Sequence, residues 1–187
     1  PGSLGDSILS KVENFVDVKS IKLSGSLNEG DYSTIQNRLS QLREIDMTNV
    51  TMVTLPNKFF YQRSLLEIVR LPAQLTTIGE YAFYKCSAIK DIEFPTTLTT
   101  IHRYGFSECN NLRKVILPEG LNSIGDYAFH SCGNNQYIKL PSTLKTISPY
   151  AFCYNSNLRT IDFSEGLTHI NNDAFKECKK LDNLKFP

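Results

Sequence analysis

The sequence predicts an α/β repeat solenoid: a curved, right-handed superhelix with a parallel β-sheet on one face, short helical turns, and a helix capping its N-terminal end. Three observations predict it. Prolines recur at Pro72, Pro95, Pro118 and Pro141, each 23 residues after the last. The same interval carries Leu75, Leu98, Leu121, Leu144 and Leu167, and again Ile78, Ile101, Ile124, Ile147 and Ile170. It also carries Phe83, Phe106, Phe129, Phe152 and Phe175, each behind a small residue (Ala82, Gly105, Ala128, Ala151, Ala174). Several columns at one spacing, with no insertion between them, mean one supersecondary unit repeated and stacked.

Each element follows in chain order. In residues 1–17, a linker and capping segment, Ile8, Leu9, Val12 and Phe15 share one helical face. That face is placed to cover the core that the first coil of a solenoid would otherwise expose. The repeats occupy residues 18–187. Those in 18–65 are divergent, with Val18-x-x-Ile21-x-Leu23 and Leu42-x-x-Ile45-x-Met47 spaced by 24. Regular 23-residue repeats fill 66–187. They open at Leu66-x-x-Val69-x-Leu71, and the pattern returns at Ile89, Leu112, Asn135, Leu158 and Leu181, making eight coils in all. The chain stops in mid-repeat at Pro187, which predicts a segment of a longer array.

Within one repeat, alternation sends Val115 and Leu117 inward and Lys114 and Ile116 outward. Pro118 has no N–H to donate and ends the strand. Leu121-x-x-Ile124 forms a second short extended segment. Asp126-Tyr-Ala-Phe129 is expected to turn the chain through a short helix, with Ser148 and Pro149 as cap and first residue in a later copy. A single repeat cannot bury its Leu, Ile and Phe alone. Stacking coils about 4.8 Å apart pairs the strands in parallel and buries the Phe column, each ring contributing roughly 1.5–3 kcal/mol.

The unit Leu-Pro-x-x-Leu-x-x-Ile-x-x-x-Ala-Phe-x-x-Cys-x-x-Leu-x-x-Ile resembles the BspA-like leucine-rich repeat of bacterial surface proteins. The resemblance is close over 66–187 and looser over 18–65. It implies a leucine-rich-repeat fold, secretion or surface display, adhesion to a host matrix or bacterial surface protein, and no active site. Asn135, Asn155 and Ser164 depart from the Leu, Cys and Pro columns.

Charge narrows the partners. Twenty basic residues meet nineteen acidic ones, a net charge of +1, which argues against nucleic acid or an anionic membrane as the partner. No apolar run reaches the roughly 18 residues of a membrane span. Pro1-Gly2-Ser3 lacks the pattern of a signal peptide, so an extracellular or cell-surface location rests on the resemblance alone.

No residue pattern points to catalysis, and no cofactor or metal is expected. Cys86, Cys109, Cys132 and Cys178 share one column, with Cys153 outside it. Metal binding would want C-x-x-C spacing with His nearby. The column reads as buried thiols, with a disulfide between adjacent coils as the alternative. His102, His130 and His169 fall in three different columns and read as surface turn residues. Asp91 and Glu93 both point outward from one strand, where an open solenoid face offers no cleft to perturb them.

Tyr81, Tyr104, Tyr127 and Tyr150 form a column beside the Phe. It reads as rings stacked coil on coil, with carbohydrate binding as the alternative. One outward strand column runs Lys22, Asp46, Arg70, Glu93, Ile116, Lys139, Asp162, Lys185, alternating in sign except at Ile116. Opposite charges on adjacent coils are expected to satisfy one another. Where the ladder breaks, Ile116 and Tyr137 lie between Lys114 and Lys139, the pattern of a small protein-binding hot spot. The sequence thus reads as a non-enzymatic extracellular binding module, a segment of a bacterial adhesin. The alternatives are a structural spacer that presents another domain, or a carbohydrate binder.

Overall fold

The computed structural model describes residues 15–186, without the side chain of Val16. The chain begins with a 3-10 turn at Phe15–Asp17, then β1 (Ser20–Gly25), α1 (Glu29–Asn37), β2 (Glu44–Val50), β3 (Thr54–Leu55), β4 (Ile68–Arg70) and β5 (Thr77–Ile78). It continues through β6 (Thr100–Ile101), β7 (Lys114–Ile116), β8 (Ser123–Ile124), β9 (Tyr137–Lys139), β10 (Thr146–Ile147), β11 (Thr160–Asp162), β12 (His169–Ile170) and β13 (Asn183–Lys185). The capping helix expected over 1–17, with Ile8, Leu9 and Val12, lies outside the described residues except for that 3-10 turn. There Phe15 is buried and the Arg38 guanidinium sits 4.0 Å from its ring centre.

The result is a parallel β-solenoid of about seven turns with little helix. Most turns carry the expected strand on one side and a second, two-residue strand on another. The first set forms two parallel sheets, β1-β2-β4 and β7-β9-β11-β13; the second forms β3-β5-β6-β8 and β10-β12. Pairing is in column register: Ile45 faces Val69, Val115 faces Ile138, and Ile78 faces Ile101. The fourth long-strand position, 91–93, joins neither sheet.

The expected helical turns are not helices, α1 aside. After each second strand the chain makes a run of turns whose amides alternate in direction. Tyr81, Phe83 and Lys85 donate their N–H groups to Arg103, Gly105 and Ser107 of the next coil, at 3.1, 2.8 and 2.9 Å. Ala82, Tyr84 and Cys86 donate within the turn, to Gly79, Tyr81 and Phe83. An α-helix would spend every amide on its own segment. Here half of them tie one coil to the next. The geometry requires a positive φ at Tyr81 (56°) and Lys85 (61°), and it recurs at Tyr104 and Glu108, Tyr127 and Ser131, and Tyr150 and Tyr154. The cost of left-handed non-glycine residues is offset by these coil-to-coil bonds. Ser148, expected to cap a helix, instead donates its hydroxyl to the Ile124 carbonyl at 2.5 Å.

The core is a file of rings. Phe83, Phe106, Phe129 and Phe152 are fully buried and stack at 4.6, 5.3 and 5.4 Å, with interplanar angles of 7° or less. Phe175, in the last described coil, stacks on Phe152 at 5.5 Å but is only half-buried. The free thiols of Cys86, Cys109, Cys132 and Cys178 each reach the Phe carbonyl 26 residues earlier, at 3.0–3.3 Å. Asn155, the departure in that column, does the same work: its Nδ2 donates to Phe129 and Phe152 at 2.8 and 2.7 Å. Burial pushes the Cys86 and Cys132 thiols up to about 12, so the column packs and donates and has little thiolate character.

Candidate functional site

On the outward face of the long strands the structure brings together Lys114, Ile116, Tyr137 and Lys139. Register pairs Lys114 with Tyr137 and Ile116 with Lys139, so the Ile and the Tyr lie diagonally across β7 and β9. Ile116 is 47% exposed, and both lysines are exposed. Tyr137 is half-buried, and its hydroxyl donates to Asp162 Oδ2 at 3.2 Å. Burial first, and then the Asp162 carboxylate, raise the phenol above its ordinary range. An apolar tip flanked by two ammonium groups and backed by a tethered ring can take an apolar contact with acidic neighbours from another protein.

The outward charge ladder is realised differently from the expected column. Lys22 pairs with Asp46 at 3.4 Å. Arg70 turns away from Asp46 and pairs diagonally with Glu44 of the companion column. Asp46 is then held below the usual carboxylate range chiefly by the hydroxyl and amide of Thr48, with Lys22 secondary. Asp162 is taken by Tyr137 and not by a lysine. The diagonal arises because long Arg side chains reach partners two residues along the neighbouring strand. It could not be read from a single column.

Asp91 and Glu93 also stand differently from expectation. They line a cleft of about 650 Å³ between the third and fourth coils, together with Ile68, Arg70, Lys90 and Phe94. The sequence reading of an unbroken face missed it. Spacing carries no signal of it, because position 91 lies 23 residues from both Ile68 and Lys114, the same interval that separates the paired strands after it.

Tyr81, Tyr104, Tyr127 and Tyr150 stack at 4.7–4.8 Å with planes within 13°. Their faces, which a sugar would need, are occupied by one another. His102 and His169 are exposed, but His130 is half-buried, contrary to its reading as a surface turn residue. It lies edge-on to Tyr127 and Tyr154 at ring-centre distances of 5.7 and 5.5 Å. Among the described residues, no group of His, Cys, Asp or Glu is arranged to hold a metal ion, and no helix is long and apolar enough to cross a membrane.

The profile described as BspA type leucine rich repeat region matches in 6 copies, over residues 6–103 and 76–187. A leucine-rich repeat protein from Bacteroides ovatus superposes with a TM-score of 0.70 at 29% identity, over 92% of this chain and 38% of that one. The T. pallidum leucine rich repeat protein superposes with a TM-score of 0.71 at 25% identity, over 90% of this chain and 75% of that one. The pneumococcal vaccine antigen PcpA, at 21% identity and a TM-score of 0.52 over 91% of this chain and 49% of that one, shares the fold. This chain therefore spans well under half the length of the B. ovatus protein. No curated protein matches the sequence significantly.

Proposed function

This chain belongs to the BspA-type leucine-rich repeat family, and from that premise we propose that it is a non-enzymatic protein-binding module. It acts as a segment of a bacterial adhesin at the cell surface, with a host matrix or bacterial surface protein as partner. The right-handed sense of the coil and an N-terminal cap over residues 1–17 belong to the same reading. The observation that carries it is the break in the outward ladder. Ladder charges of the first three coils are paired off at Lys22–Asp46 and Arg70–Glu44, whereas at the break Ile116 stands 47% exposed beside Lys139. An apolar side chain and a ring set between two lysines have the composition of a small contact patch for another protein.

The test is the double substitution Ile116→Lys with Tyr137→Ala. Surface plasmon resonance against a panel of purified host matrix proteins should show a partner for the parent chain. The double variant should lose roughly tenfold or more in affinity while its far-ultraviolet circular dichroism at the assay temperature stays that of the parent. Binding that survives the substitution removes this patch from the function. A chain that binds nothing on the panel is better described as a spacer.

A further inference from the structure

The cleft between the third and fourth coils is a wedge that opens on one face only. At the back of the same two coils the contacts are intact: β5 pairs with β6, and the N–H groups of Thr99 and Thr100 both donate to the Thr76 carbonyl, at 2.9 and 3.1 Å. At the front, β4 is bonded to β2 alone and β7 to β9 alone. Residues 91–93 form no strand between them. The edge of β4 is therefore an unpaired row of main-chain donors and acceptors beside a cleft of about 650 Å³, the arrangement to which an extended chain adds.

Apolar surface lies open there as well. Ile68, Val69, Leu71 and Phe94 line it. Ile68 is 44% exposed. Phe94 is half-buried, edge-on to Phe106 at 5.5 Å.

Charge selects the occupant. Of the ionic groups lining the cleft, Arg70 is taken by Glu44 and Glu67 by Arg43. Asp91 and Glu93 have no ion-pair partner among the described residues, and neither has Lys90. Two free carboxylates against one ammonium leave the opening acidic.

We propose that this cleft docks an extended segment of a partner protein in which apolar residues alternate with basic ones. Its main chain pairs with the free edge of β4, its apolar side chains cover Val69 and Phe94, and its lysine or arginine side chains lie beside Asp91 and Glu93. The proposal rests on the protein-binding reading but uses a different surface from the Ile116 patch, so the two fail separately.

The probe is a blocked hexapeptide alternating valine and lysine, titrated into the full chain by calorimetry. It should bind saturably. A copy with alternate amides N-methylated should not bind, because strand addition needs those donors. A valine–glutamate copy should bind roughly tenfold more weakly or worse. The exposed, isosteric pair Asp91→Asn with Glu93→Gln should weaken the lysine peptide about tenfold at an unchanged denaturation midpoint. Ile116→Lys with Tyr137→Ala should bind it as the parent does. Failure to saturate at millimolar peptide overturns the proposal. So does undiminished binding after N-methylation, indifference to the carboxylate substitutions, or loss of binding only in the Ile116 variant. None of those results touches matrix-protein binding through the Ile116 patch.

Discussion

His130 shows how stacking turns an ordinary turn residue into a pH-sensitive one. It lies between Tyr127 and Tyr154, with Nδ1 3.5 Å from the Ser107 hydroxyl. Burial holds its imidazole below the ordinary 6.5, outweighing the pull of the Glu108 carboxylate. The unfolded chain therefore binds this proton first as the solution is acidified. The stability it contributes should be complete above about pH 6.5 and should decline as the pH falls through the window below, until the folded imidazole also protonates. His130→Gln should flatten that part of a Tm-against-pH profile and leave the neutral region nearly unchanged. An unaltered slope would assign the effect to other groups. Residue-scale roles were only partly legible. The Cys column was plain in the sequence, and Asn155 stood out as its exception. That both serve as donors to Phe carbonyls could not be seen, because spacing says which residues share a position and not which backbone oxygen lacks a partner.

At the scale of elements, the strands were readable and the turns were not. Period-two alternation and a terminating proline specify β7 or β9 with little ambiguity. Asp126-Tyr-Ala-Phe129 carries no comparable signature, and short segments of mixed residues default to a helical reading unless inter-coil bonds are considered. The segment 91–93 matches the strand pattern as well as any other, yet it pairs with neither neighbour, because pairing is a property of two elements together and not of one segment's own residues. The one α-helix among the described residues is secured at both ends. Asn28 and Asp31 exchange hydrogen bonds in a capping box at its start. At its end Arg63, 28 residues away, donates to the carbonyls of Ile35 and Gln36 at 2.6 and 2.5 Å, satisfying groups that a helix terminus leaves unpaired. Arg63→Met keeps the aliphatic stem and removes the donors. It should cost about 2 kcal/mol in urea denaturation and raise amide exchange in α1. Parent-like exchange there would show that the guanidinium does not clamp the helix.

For the whole molecule, nearest-neighbour stacking makes position along the array an energetic variable. Phe106 touches Phe83 on one side at 4.6 Å and Phe129 on the other at 5.3 Å, with Phe94 edge-on. Phe175 stacks on Phe152 within its own column and is half-buried, and beyond it Ile170, Leu184 and Phe186 are exposed. Both residues occupy the same column, each behind a small residue (Gly105 and Ala174), so sequence treats them as equivalent. Physically they are not, because a hole at Phe106 weakens two coil interfaces and leaves a cavity that neither flank can fill. Phe106→Ala should therefore cost about 3–5 kcal/mol, and Phe175→Ala roughly half as much or less, since much of its surface is already wet. Hydrogen exchange should localise the damage. The Phe106 variant should lose protection on both sides, in coils containing β5 and β8, whereas the Phe175 variant should lose it only from β11 onward. Equal destabilisation by the two substitutions, or a uniform loss of protection along the chain, would mean that the array unfolds as one indivisible unit and that stacking between adjacent coils does not set its stability.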